Sequence, residues 1–277
     1  YDQFHAAGKN TLWSVCLASD AAIQTAAPLD ALKLLTTHQK RYQGEQPWIN
    51  MLHKAVSTYF DSESDKARIL YRSGQRIRAD AVMVEASETV KGVWDNLIEP
   101  TNSEVTTDRP VLILGSKALK QCTHYRIDQK EYFFSELGAN YKIFDISESE
   151  EFIAELTNAS AVIFYRLPSL PLILKAIVSA QKHGIPTYYE IDDLIFDRDH
   201  YPDSFESFQG QIDQDVYTGL LYGTPLYRFA MELCDYGIAS TTPLAREMQK
   251  YVRSGQCFTL RNGLDDRNLG LEHLPST

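Results

Sequence analysis

The sequence holds no CxxC pair. Cys16, Cys122, Cys234 and Cys257 are its only cysteines and lie far apart, and its seven histidines are as scattered. Structural zinc needs clustered ligands and a disulfide-stapled secreted domain needs more cysteines, so both are excluded. The thiols read as reduced, in a cytoplasmic setting where the sequon Asn158-Ala159-Ser160 carries no message. No stretch approaches the ~20 continuous apolar residues of a membrane span. Glycine and proline, 14 and 11 residues, are too few for a collagen-like or linker-dominated chain. Basic residues are outnumbered 27 to 37, leaving a net charge of −10. That argues against a broad grip on nucleic acid or anionic lipid and leaves room only for a local basic pocket. The start at Tyr1-Asp2-Gln3, with neither Met nor a leader, reads as a piece of a longer protein.

What is present is an ordinary globular composition, 44% hydrophobic and 23% charged over 277 residues, enough for one large domain or two smaller ones. The texture changes near residue 100. Residues 1–98 place apolar side chains at helical spacing: Leu12, Val15, Cys16 and Ile23; then Leu29, Leu32 and Leu35 behind Pro28; then Trp48, Leu52, Ala55, Val56 and Tyr59; then 82–97. This predicts a helical bundle or cap without an internal repeat. Residues 99–109 are polar and aperiodic, a connector.

From 110 the pattern alternates. Short apolar runs at 111–114, 141–146, 161–165, 186–191, 236–239 and 257–260 are separated by helical stretches, with Gly138 and Gly184 placed to cap two of them. Six strands alternating with five helical segments predict right-handed βαβ units and a Rossmann-like doubly wound parallel sheet. Ligands gather at the carboxyl ends of such strands, so the residues just after each strand are the candidates. These are Gly115, Ser116 and Lys117, then Cys122-Thr123-His124-Tyr125-Arg126; Arg166-Leu167-Pro168-Ser169; Glu190-Ile191-Asp192-Asp193, with Asp197 beyond; Ser240-Thr241-Thr242; and Arg261-Asn262-Gly263.

The loop after the first strand is neither GxGxxG nor a Walker A loop, so no nicotinamide, flavin or P-loop nucleotide site is encoded. Arg126 and Lys130, four apart on one helix face, are spaced to meet a phosphate or carboxylate. The run from Glu190 to Asp197 holds four carboxylates in eight residues. Crowded acids raise one another's pKa and suit a cation, a sugar hydroxyl or a proton in transfer.

The run Cys-Asp-Tyr-Gly-Ile-Ala-Ser-Thr-Thr-Pro-Leu-Ala-Arg-Glu-Met at 234–248, followed by Cys-Phe-Thr-Leu-Arg-Asn-Gly-Leu-Asp at 257–265, resembles the end of the N-terminal domain of GT-B glycosyltransferases of retaining family four. Asn262-Gly263-Leu264-Asp265 stands where that family has Asn-Gly-Val-Asp. The resemblance covers 111–265. It implies that 110–265 is the acceptor-side half of a two-domain clamp, and that 266–277 begins the connection to a donor-binding half lying beyond this chain. It also implies transfer of a sugar from a nucleotide-sugar donor to a polysaccharide, glycoconjugate or glycolipid acceptor. No cofactor and no metal would be needed. The parent would be a bacterial-type enzyme, cytoplasmic or peripheral to the inner membrane, and this part alone would be inactive.

On this reading Asp192 and Asp193 are catalytic. Gly115, Ser116, Lys117, Arg126, Arg166, Glu190 and Ser240 bind the acceptor, and Asn262, Gly263 and Asp265 form the domain-junction motif. Two features depart from the family: Gly115-Ser116-Lys117 replaces its two-glycine loop, and Asp192-Asp193 replaces its His-Asp pair. Two other readings compete. Asp192, Asp193 and Asp197 would bind magnesium in a phosphatase-like phosphoryl-transfer domain, or the domain is a non-catalytic scaffold.

Overall fold

A computed structural model describes residues 11–101, 106–117 and 120–263. The chain sorts into two compact units that cut across its linear order. One comprises Tyr1–Glu99, Ser169–Val178 and Ile195–Phe229; the other comprises Pro100–Pro168, Ser179–Leu194 and Ala230–Thr277. A boundary drawn only near residue 100 therefore leaves out two later segments that join the helical unit.

The helical unit is built on α1 (Leu12–Gln24), α2 (Pro28–Thr37), a single turn at Gln39–Tyr42, α3 (Gln46–Arg72) and α4 (Arg76–Leu97). Thr11 caps α1 by accepting the Ser14 amide at 3.2 Å, and Pro28 occupies the first turn of α2, where its missing N–H costs nothing. The core is Leu35 from α2, Trp48, Leu52, Val56 and Phe60 from α3, and Met83, Val90 and Trp94 from α4, all almost fully enclosed. Both indoles find acceptors, Trp48 on the Leu35 carbonyl and Trp94 on that of Pro171. Helices α3 and α4 run longer than the apolar stripes suggest. Their extra turns bury Ser64, Ala67 and Tyr71, and Ala79 and Asp80, at helical spacing, a polar and small-residue stripe that apolar counting misses.

The second unit carries six parallel strands: β1 (Val111–Gly115), β2 (Tyr141–Asp145), β3 (Ala161–Tyr165), β4 (Thr187–Ile191), β5 (Tyr236–Ala239) and β6 (Gln256–Thr259), in the order β2-β1-β3-β4-β5-β6. The sheet is Rossmann-like and doubly wound, as the alternation predicts. Between the strands run α5, which begins at Lys120–Thr123, passes through a π turn at His124–Asp128 and continues as Gln129–Glu136; α6 (Ser149–Glu155); α7 (Pro171–Lys182); α8 (Gln214–Leu233); and α9 (Thr242–Met248). Gly138 and Gly184 follow α5 and α7 with φ of 63° and 68°, the left-handed caps expected of them. One sheet face packs Ile113, Ile163 and Ile238 against Phe134, Ile143 and Tyr188. Phe152 of α6 meets Phe144 and Phe164 edge-on, with centroids 5.6 and 5.7 Å apart.

Strand order reverses at β1, which has β2 on one side and β3 on the other. This switch point is where an open α/β sheet leaves a crevice at its carboxyl edge. Register aligns Gly115 with Asp145 and with Tyr165, so the three strand ends lie level. Asp145 fixes the rim. It accepts the Ser147 amide (3.1 Å) and hydroxyl (2.8 Å) and the Lys117 amide (3.2 Å), while Glu148 accepts its own amide at 2.7 Å. The Ser147 amide above all, together with the other donors, holds the Asp145 carboxyl below its ordinary value despite the opposing effect of burial.

Asp145→Ala is expected to lower unfolding stability by about 1 kcal/mol, the usual worth of such a cap. Because folding depresses this pKa, the difference from the parent chain is full above the ordinary value of 3.8 and disappears as pH falls through the lower folded value. Urea titrations of both chains between pH 7 and 3 measure it.

Candidate functional site at the carboxyl edge

Gly115 ends β1 where a side chain would crowd its neighbours. A Cβ there would lie 3.1 Å from Ile127 and 3.2–3.3 Å from Tyr165. Ser116 and Lys117 follow on the rim, Lys117 held by Asp145. Arg166, directly after β3, adopts φ 51°, a left-handed conformation that residues with a Cβ rarely take. Its amide donates to the Glu190 carbonyl at 2.8 Å. Its Nη1 reaches both Asp192 Oδ1 (2.8 Å) and Asp193 Oδ2 (2.6 Å). Burial works against the charge on Arg166, but the two carboxylates outweigh it and hold the guanidinium firmly protonated.

The Tyr165 hydroxyl donates to Asp192 Oδ2 at 3.3 Å, and the Ser240 hydroxyl to the Asp192 carbonyl at 3.2 Å. Asp192 is thus enclosed by β3 and β5, its side chain only 13% exposed, whereas that of Asp193 is 53% exposed. Cys122 belongs to the same group. Burial first, then the Asp192 carboxylate, push its thiol up.

Below this rim lies a second cluster. Glu190 is fully buried and Arg126 nearly so. Lys130 Nζ meets Glu190 Oε1 at 2.9 Å and Oε2 at 2.7 Å, and Arg126 Nη2 stands 2.8 Å from Oε1. The i, i+4 basic pair does meet a carboxylate, and that carboxylate is internal. Arg126 Nη1 also donates to the Leu260 carbonyl (2.6 Å) and to Asn262 Oδ1 (3.1 Å), while its Nε and Nη2 have no hydrogen-bond partner among the described residues, the Nη2 approach to Glu190 being an ion pair. Two cations against one anion leave a buried positive excess. Burial accordingly pushes the Lys130 ammonium down from its ordinary value, against the pull of Glu190.

Gln129 completes the cluster by bonding Gly263 twice: its Nε2 donates to the carbonyl at 2.9 Å and its Oε1 accepts the amide at 3.1 Å. Asp265 lies outside the described residues.

The acidic run does not form one crowded group. Glu190 is paired with cations below the rim, and Asp192 and Asp193 flank Arg166. Asp197 falls in the helical unit, where it accepts the Asp199 amide (2.9 Å) and meets His200 Nδ1 (2.8 Å). Burial raises the Asp197 pKa, but the Asp199 amide and His200 more than offset it and the net shift is downward. The mutual upward shift expected of crowded acids is replaced at this position by separate pairing.

Sequence reasoning placed Cys122 among the residues that follow the first strand but assigned it no role, and did not single out Tyr165 or Gln129. Tyr165 carried a signal, as the last residue of a strand next to Arg166; Gln129 carried none. A surface cleft of about 490 Å³ opens near the amino ends of β4 and β5, lined by Gln181, Asp235, Tyr236, Arg253 and Ser254. Its carboxylate already ties β4 to β5 by accepting from the Thr187 amide and hydroxyl at 3.0 and 2.9 Å.

No protein-family model, no curated protein and no solved structure matches this chain.

The buried cluster implies an asymmetric response. Glu190→Gln leaves two cations enclosed without an anion and is expected to cost about 3–5 kcal/mol, while Lys130→Met leaves the Arg126–Glu190 pair neutral and costs roughly 1 kcal/mol or less. Urea unfolding of the two variants measures the gap. At the rim, Asp192→Asn removes a charge that lifts the Cys122 thiol. Alkylation of Cys122 by iodoacetamide at pH 8, followed by peptide mapping, is expected to quicken roughly threefold.

Proposed function

We propose that the α/β unit is the acceptor-side domain of a GT-B glycosyltransferase, resembling retaining family four, which moves a sugar from a nucleotide-sugar donor to a carbohydrate or glycolipid acceptor. The observation that carries this reading is the arrangement of Asp192, Asp193 and Arg166 beside Tyr165 and Ser240 at the carboxyl edge. A carboxylate oxygen accepts hydrogen bonds, the chemistry that receives a sugar hydroxyl. Asp193, the exposed member, is placed to accept that hydroxyl and to draw its proton as it attacks. Asp192, held by three partners, fixes the loop. Ser116 and Lys117 line the neighbouring rim.

Glu190 and Arg126 support the rim from below in this reading, because their charged atoms are spent on each other and on the chain. The parallel sheet and its strand-order reversal at β1 agree with a domain of this kind. Among the described residues no helix is long and apolar enough to cross a membrane, so contact with a lipid-linked acceptor would be peripheral. The magnesium reading gains no observation: Arg166 occupies the place between Asp192 and Asp193 that a cation would take, and Asp197 is engaged elsewhere.

Saturation-transfer NMR on the 277-residue chain with a panel of neutral mono- and oligosaccharides tests the proposal. Weak binding is expected for at least one saccharide, falling about tenfold or more in Asp193→Asn, since a hydrogen bond to a charged group is lost. Absence of saccharide binding, or binding indifferent to Asp193→Asn, overturns it.

A further inference from the structure

Arg126 touches two places that the sequence separates by 70 residues or more. Through Nη2 it faces Glu190, the penultimate residue of β4; through Nη1 it holds the chain as it leaves β6, at the Leu260 carbonyl and Asn262 Oδ1. Glu190 in turn receives the Arg166 amide on its carbonyl, and Arg166 carries Asp192 and Asp193. Gln129, one position short of a full turn from Arg126 on α5, clasps Gly263 with two hydrogen bonds. The π turn at His124–Asp128 lies within this stretch; such turns re-aim side chains and recur at functional places. A guanidinium suits the position because its fixed fork can face a carboxylate with one nitrogen while another donates to a backbone carbonyl and a side-chain amide oxygen, which an ammonium's point charge cannot do in one geometry.

We infer that Arg126 is a positioning residue that couples the exit segment, residues 260–263, to the Asp192–Asp193 rim, so that loosening one loosens the other. The inference concerns the fold's own linkage and stands whether or not the rim binds a saccharide. Coupling of this kind requires that a disturbance at one end be felt at the other while the rest of the sheet is unmoved.

Amide hydrogen exchange on the 277-residue chain reads both ends. The Leu260 amide, bonded to the Ala239 carbonyl at 2.8 Å, reports the exit segment, and the Arg166 amide, bonded to the Glu190 carbonyl, reports the rim. The double variant Gln129→Ala/Asn262→Ala removes the clasp without altering Glu190, Arg166, Asp192 or Asp193. Exchange is expected to quicken about tenfold at Leu260 and about threefold at Arg166, with the Ile113 and Ile163 amides unchanged as the measure of global opening. Arg126→Lys, which keeps the charge beside Glu190 and loses the fork, is expected to reproduce the same pattern. Acceleration at Leu260 alone, equal acceleration at Ile163, no acceleration at Leu260 in the double variant, or an Arg126→Lys chain indistinguishable from the parent overturns the inference.

Discussion

Glu190 places a carboxylate inside the α/β unit, on a strand enclosed by neighbours on both sides, and a charge there is tolerated only if cations are brought to it. Arg126 and Lys130 supply them, one turn apart on α5. The helix is thereby fixed against the sheet in register, since a shift of one residue would turn both cations away. The same guanidinium reaches the chain beyond β6, so one ion cluster sets the helix, the end of β4 and the exit of the last strand together.

Above that cluster the rim is organised by a different pairing. Arg166 stands between Asp192 and Asp193, Asp145 gathers the Lys117 and Ser147 amides, and Tyr165 and Ser240 close on Asp192. Asp192 and Asp193 share the Arg166 Nη1 donor, while Asp145 has donors of its own. The lower cluster carries an excess of positive charge while the rim carries more carboxylates than guanidinium groups. Of the rim's two paired acids, Asp193 is the one that still faces solvent.

The strands were legible because each is a short apolar run stopped by glycine, proline or a polar pair, and wholly apolar runs mean a sheet covered on both faces. Alternation with helices then fixed parallel strands, and the rule for carboxyl edges pointed to Arg166, Asp192, Asp193 and Ser240, which the structure brings together. The partnerships were not legible. Arg126 meets Leu260 across 134 positions and Tyr165 meets Asp192 across 27, and no local pattern encodes such meetings. The extent of α3 and α4 was hidden for another reason: Ser64 and Asp80 are buried polar residues, satisfied by hydrogen bonds, that a hydrophobic count assigns to the surface. The acidic run misled because adjacency in sequence was taken for adjacency in space, whereas the run crosses from one compact unit into the other.

Arg166 shows which of the rim's features is under constraint. A left-handed residue with a Cβ costs on the order of 1 kcal/mol or more, and glycine would take the same φ without strain. The backbone requirement alone therefore favours glycine. The strain is offset by what the side chain does, two contacts of 2.8 and 2.6 Å to adjacent carboxylates, and by the amide's bond to Glu190. Without the guanidinium, Asp192 and Asp193 would lose the donor they share. The unusual backbone at Arg166 and the pairing of Asp192 and Asp193 are two sides of one requirement: a cation held at the end of β3 within reach of both carboxylates.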